Sequence, residues 1–309
     1  MIPAINSNFA HHIAAGLQDG TVITGQNQIS HPSSPSGPPP SEISSEGFYT
    51  DESEEDGGGA IEDANLPGSL AELRTQNIEF SKHDEAELPS RIERIWYINP
   101  YGQEIRPPAN PKVLASINQA EAVVYSIGSL YTRYLSSPNP RKREVSDHRH
   151  SLAPILTLRG VARAIKSTPP HTPKILILNG SHDRETSPSS QTFTASDFVR
   201  AIVSACTATA AAASAKEQQE EEAWKGYVTH IIYLEGNGAP GVDAAALKAA
   251  AGIEAIRVYG RRHPGGAGKG MLYDSAPLLQ ALAVILGKNS RSRKPETRRN
   301  TFDGGVQVQ

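Results

Sequence analysis

The sequence predicts an α/β protein built on a doubly wound, mostly parallel sheet, and three observations predict it. Short aliphatic runs alternate along the chain with amphipathic segments of helical spacing. One of those runs, Ile175-Leu176-Ile177-Leu178, is apolar at every position, as a strand buried on both faces must be. Strands separated by helices in this way define βαβ units, whose strands lie parallel.

The elements follow in order. Residues 94–99 read as a strand and 111–119 as a short helix. Residues 121–127 form a strand centred on Val123 and Val124. Residues 152–166 read as one amphipathic helix, because Ile155, Leu158, Ala162 and Ile165 recur at spacings of three and four. The apolar run lies in a central strand over 174–179. Thr194, with Asp197 three residues on, has the pattern of a capping box opening a helix. Phe198, Ile202 and Cys206 share one stripe of that helix, which makes Cys206 a core residue and not a nucleophile. Its far end, Glu220-Glu221-Glu222, is expected to face solvent. A strand at 229–234, a helix at 243–251, a strand at 256–259 and a closing helix at 277–286 complete the pattern.

Composition divides the 309 residues into folded and unfolded parts. Hydrophobic residues make up 38%, below the usual share for a globular domain. Residues 33–89 are dominated by Ser, Pro, Gly and acidic residues, including Asp51, Glu52, Glu54, Glu55 and Asp56 before three glycines. Such a stretch cannot bury enough apolar surface to offset its chain entropy, so an acidic disordered insert is expected. A polar insert at about 138–150 and a basic disordered tail at 288–309 are expected on the same grounds. The folded domain is then assigned to 1–32 and 90–287.

The net charge of −3 supplies no field that would draw in nucleic acid, and no apolar run is long enough to cross a bilayer. The start lacks a basic region followed by an apolar stretch, and the single cysteine excludes an intrachain disulfide. Together these point to the cytoplasm.

In parallel sheets ligands bind beyond the carboxyl ends of the strands. The first such loop is Ser126-Ile127-Gly128-Ser129-Leu130-Tyr131-Thr132, where a glycine with neighbouring hydroxyls and amides suits phosphate oxygens. On spacing alone the favoured reading is a tight turn that simply needs a glycine. The second, Asn179-Gly180-Ser181-His182-Asp183-Arg184-Glu185-Thr186, gathers an amide, a histidine, carboxylates, a guanidinium and a hydroxyl in eight positions. The third, Gly236-Asn237-Gly238-Ala239-Pro240-Gly241, spells the G-x-G-x-x-G of dinucleotide binding. Against NAD(P) stand Pro240 at the helix entry and the lack of an acidic residue after the next strand, though Arg261 and Arg262 would suit a 2′-phosphate. The run His263 to Gly270 imitates a P-loop but lacks its first glycine and its Ser/Thr. His148 and His150 beside Asp147 are read as solvated, so no metal site is assigned, and no residue is singled out as catalytic.

These segments resemble the CofD-like family, which contains 2-phospho-L-lactate transferase and the gluconeogenesis-factor-like proteins. Residues 2–4, 14–21 and 25–32 resemble the family's mid-domain hairpin region, and Asn99-Pro100 with 109–117 resembles the segment leading into its G-P-G-S-L-Y-T-S signature. That signature is matched here by Gly128-Ser129-Leu130-Tyr131-Thr132, with Ser126, Ile127 and Arg133 departing from it. Asn179, Glu185 and Thr186 fit the asparagine and the E-T of a later family loop. The wording around His182 is similar to that of fungal-type members.

The resemblance implies a Rossmann-like, doubly wound, mostly parallel sheet, incomplete at its N-terminal side because the family's opening glycine-rich phosphate loop has no counterpart here. It implies a small nucleotide-linked ligand, with Gly128, Ser129, Tyr131 and Thr132 at its phosphates and Asn179, Glu185 and Thr186 on the other wall. The implied activity is transfer from a nucleotide diphosphate-linked donor with Mg2+ assisting. The alternatives are a non-catalytic nucleotide-sugar-binding regulator and an inactive fragment. An unpaired sheet edge would favour self-association.

Overall fold

The computed structural model describes residues 2–6, 11–25, 29, 87–131, 151–182, 184–186, 192–207, 223–264 and 270–287. The acidic insert up to residue 86, the polar insert at 138–150, the basic tail, Glu220–Glu222 and the metal candidates near His148 lie outside these residues. Folded chain has resumed by Leu88, which is buried in the core within the expected insert boundary.

An antiparallel sheet comes first. Its strands are β1 (His12–Leu17), β2 (Val22–Thr24), β3 (Ile92–Ile98) and β4 (Glu104–Ile105), in the order β2-β1-β3-β4. The β1–β2 turn closes through Thr21 N–H donating to Asp19 Oδ1 at 2.9 Å. β1 then pairs with β3 from His12 opposite Ile98 to Leu17 opposite Ile92. Helix α1 (Pro111–Asn118) starts on a proline and is capped by Asn110, whose Oδ1 accepts from Lys112 N–H and whose amide holds Pro3.

The parallel sheet consists of β5 (Val123–Tyr125), β6 (Lys174–Ile177), β7 (His230–Leu234) and β8 (Glu254–Val258), and its strands lie in chain order. Among the described residues the order does not reverse, and β5 forms one edge. The run read as apolar on both faces is so: Ile175 and Ile177 face one core cluster, Leu176 and Leu178 the other.

The expected single helix over 152–166 is two, α2 (Leu152–Leu156) and α3 (Val161–Lys166). The backbone of Arg159 is drawn out of helical bonding to bridge the neighbouring chain. Its N–H donates to Pro107 O at 3.0 Å and its carbonyl accepts from Ala109 N–H at 3.2 Å. Gly160 supplies the left-handed φ of 101° that the reversal needs. The break also moves the buried face: Ala153, Leu156, Leu158, Val161, Ala164 and Ile165 are buried, whereas Ile155 and Ala162 of the expected stripe are only half-buried.

Helix α4 (Ala195–Thr207) opens as expected: Asp197 Oδ2 accepts from the Thr194 N–H and hydroxyl, each at 2.8 Å. Phe198, Ile202 and Cys206 are buried on its stripe, and burial pushes the Cys206 thiol up to about 12. Helix α5 (Ala244–Ala251) precedes β8. A hairpin, β9 (Gly260–Arg262) and β10 (Met271–Tyr273), follows it where the sequence indicated none, and α6 (Ser275–Ile285) closes the chain.

Helices α2 to α5 cover one face of the parallel sheet, and their core is continuous with that of the antiparallel sheet. α6 covers the other face, over Ile175, Ile177, Ile232, Leu234 and Val258. Among the described residues no helix is long and apolar enough to cross a membrane.

Candidate functional site

At the carboxyl end of the parallel sheet, the loops after β5 and β6 are stitched together. Asn179, two residues beyond β6, uses both ends of its amide on Gly128. Its Oδ1 accepts from Gly128 N–H at 3.2 Å, and its Nδ2 donates to Gly128 O at 2.8 Å. A short 3-10 turn, Arg184–Thr186, then carries Glu185 across to the same loop. Its Oε2 accepts from the Ser129 hydroxyl and, at 3.0 Å, from Tyr131 N–H. Ser129 is 4% and Glu185 5% exposed, so these are buried bonds to a charged acceptor.

The far side of the loop is fixed as firmly. Ser129 O and Leu130 O accept from Leu152 N–H and Ala153 N–H at the start of α2. The Tyr131 hydroxyl donates to Ile92 O at 3.4 Å. Burial, and after it the nearby Glu185 carboxylate, raise the Tyr131 phenol well above its ordinary value. Beside this cluster Arg91 joins the start of β3 to α4, 3.4 Å from Asp197 and 2.7 Å from Thr192 O.

Six of the seven residues singled out in the sequence therefore lie in these two loops. Gly128, Ser129, Tyr131, Asn179 and Glu185 are joined directly, and Thr186 is buried beside Glu185. Thr132 lies outside the described residues.

The same crest is closed differently over β6 and β7. Hairpin β9–β10 lies on the strand ends, with Met271 N–H donating to Gly180 O at 2.8 Å. The Tyr273 hydroxyl bonds Leu178 O at 2.7 Å and Ile232 O at 3.1 Å. Backbone packs on backbone at Gly180, where a Cβ would overlap the Met271 carbonyl oxygen, while Gly236 makes room for the Met271 side chain, whose Cγ would lie 2.7 Å from a Cβ there. This hairpin was missed in the sequence. Its signal was the turn-rich run from His263 to Gly270, followed by Met271-Leu272-Tyr273.

The G-x-G-x-x-G run does not form a dinucleotide site of the expected shape. Gly241 lies three residues before α5 starts at Ala244, and the helix N-terminus is taken by Asp243, whose Oδ1 accepts from Ala246 N–H at 2.9 Å. A carboxylate thus stands where pyrophosphate would meet that helix. Among the described residues no three His, Cys, Asp or Glu cluster, and the carboxylate of Glu185 is engaged by Ser129 and Tyr131.

Fold and loops together define a parallel α/β protein with its candidate site at the strand carboxyl ends. The chain is similar to the CofD family in its first part: the family described as 2-phospho-L-lactate transferase CofD matches residues 1–137. It is 34% identical over 256 residues to the uncharacterized protein YNL011C of Saccharomyces cerevisiae, with 79% of this chain matched. Two crystal structures of protein BH3568 from Bacillus halodurans are similar at 18% identity. One covers 91% of this chain and 60% of that one, with a TM-score of 0.50. The other, titled as a member of the UPF0052 family, covers 89% and 59%, with a TM-score of 0.48. At this identity the former shows a shared fold. The chain spans 53%, about half, of the yeast relative's length.

Proposed function

We propose that the protein is a CofD-like binder of a small nucleotide-linked ligand, acting as a 2-phospho-L-lactate transferase-like group transferase on a nucleotide diphosphate-linked donor. One observation carries this reading. The family match over residues 1–137 runs through the loop after β5, and that loop meets the Asn179–Thr186 loop at the carboxyl end of the sheet. Gly128, Ser129, Tyr131 and Thr132 form the phosphate side, and Asn179, Glu185 and Thr186 the opposite wall. Their part in the chemistry is to position the donor and to neutralise charge with amides and hydroxyls.

The second reading, a non-catalytic nucleotide-sugar-binding regulator, draws support from Glu185. Its carboxylate serves as an acceptor for Ser129 and Tyr131. Titration with guanosine diphosphate and a uridine diphosphate sugar tests binding, and release of nucleotide from the bound donor separates enzyme from regulator. No saturable binding of either ligand refutes both readings. A cytoplasmic location belongs to the proposal, checked by cell fractionation. So does self-association at the β5 edge, where Val124 is exposed, checked by light scattering.

A further inference from the structure

We infer that the carboxylate of Glu185 occupies the seat of a ligand phosphate oxygen, and that a phosphate-bearing ligand binds by taking its place. The inference rests on the reading proposed above and names the chemistry of the same site. Three donors of the loop after β5 are held by acceptors from the loop after β6. Gly128 N–H goes to Asn179, and Ser129 O–H and Tyr131 N–H go to one oxygen of Glu185. The hydroxyl and the amide thus converge on a single anionic oxygen, buried from water. That is the arrangement that stabilises negative charge at a fixed point, and it already holds a negative charge.

The identity of the occupant limits what can replace it. Removing Glu185 without a substitute would leave the Ser129 and Tyr131 donors buried and unmade, which costs more than their bonds contribute. A cation or an uncharged sugar offers no equivalent anionic acceptor. A phosphoryl oxygen accepts from the same hydroxyl and amide, so exchange of one anion for the other keeps both donors satisfied. The element carrying Glu185 suits such an exchange, since Arg184–Thr186 is a single short 3-10 turn. Asn179 keeps both of its hydrogen bonds to Gly128 and holds the loop's shape while the anion changes. Glu185 therefore belongs to the site as the group that the ligand replaces.

A permanent cross-link would have the opposite signature. If Glu185 competes with the ligand, Glu185→Gln removes the competing charge, and guanosine diphosphate should bind at least about tenfold more tightly, or 1.4 kcal/mol. In the wild-type chain, saturating guanosine diphosphate should also speed amide exchange at 184–186 as the turn lets go. Both are measured on the full chain, by calorimetric titration and by exchange mass spectrometry. If Glu185→Gln fails to fold, the wild-type exchange result decides. Wild-type binding with no gain in the variant, or with added protection at 184–186, overturns the displacement and leaves the nucleotide reading standing. No binding by either protein overturns both.

Discussion

The two halves of the crest are closed in opposite ways, although they sit at the carboxyl ends of neighbouring strands of one sheet. Over β5 and β6 the closure is made by side chains: Asn179, Ser129 and Glu185 supply the hydrogen bonds. Over β6 and β7 it is made chiefly by backbone lying on backbone, with Gly180 clearing the way for the Met271 carbonyl. A side-chain bond can be re-partnered by rotation about χ angles, whereas a backbone contact is lost only when the hairpin lifts as a unit. On the function proposed above, the first half is the part that admits the ligand and the second is the frame that holds it.

The largest effect is expected at the frame. Gly180→Val forces a side chain into the Met271 carbonyl and should cost about 3 kcal/mol or more, read from the urea midpoint at unchanged m-value. A cost near zero would show that the hairpin is not seated on the strand ends. At the side-chain half, Ser129→Ala removes one bond to a buried carboxylate and should cost about 1.5–3 kcal/mol in the same assay. Equal costs at the two positions would erase the contrast.

A smaller change separates the Tyr273 side-chain tether of the hairpin from its backbone seat. Tyr273→Phe strips the bond to Leu178 O, while Ile232 O still accepts from Leu178 N–H, so about 1 kcal/mol is expected. A loss as large as that of Gly180→Val would mean the phenol, and not the backbone, holds the hairpin down.

The smallest effect lies at the opposite end of the sheet. Burial lowers the His230 pKa below its ordinary 6.5, against a weaker upward pull from Glu254. The unfolded chain then takes up the proton first, so stability is intact above pH 6.5 and falls as pH drops through 6.5 toward the folded value. Between pH 7.5 and 5.5 the Tm should fall by on the order of a few degrees, and His230→Gln should reduce that fall. An undiminished fall would assign the titration to other groups.

Much of this was legible in the residues. The all-apolar run at 175–178 gave a central strand, and Thr194 with Asp197 gave the start of α4. Phe198, Ile202 and Cys206 gave its buried stripe, and the family signature at 128–132 drew attention to the loop that Asn179 and Glu185 engage. What escaped was tertiary. The break at 157–160 depends on Arg159 bonding residues 107 and 109, which no local pattern encodes. The hairpin at 260–273 depends on strand ends that tolerate only glycine, and Gly260-Arg261-Arg262 has no alternation to announce a strand. The clasp between Ser129 and Glu185 joins residues far apart in the chain, so each loop was visible while their pairing was not.

The pairing of β1 with β3 has a consequence for the continuity of the chain. Ile29 and Leu88 are both buried in the same core, and the ladder from His12 to Leu17 meets the one from Ile92 to Ile98 without using any residue between them. A polypeptide interrupted anywhere between Ile29 and Leu88 keeps every one of those contacts. Its two pieces would recombine as partners of a heterodimer, with β1 the strand that one piece lends to the other. The intact chain holds β1 at a high effective concentration, whereas the cut form must find it by mass action. Melting temperature would then rise with protein concentration in the cut form alone, and the short N-terminal piece would serve as a detachable strand for reconstituting the fold.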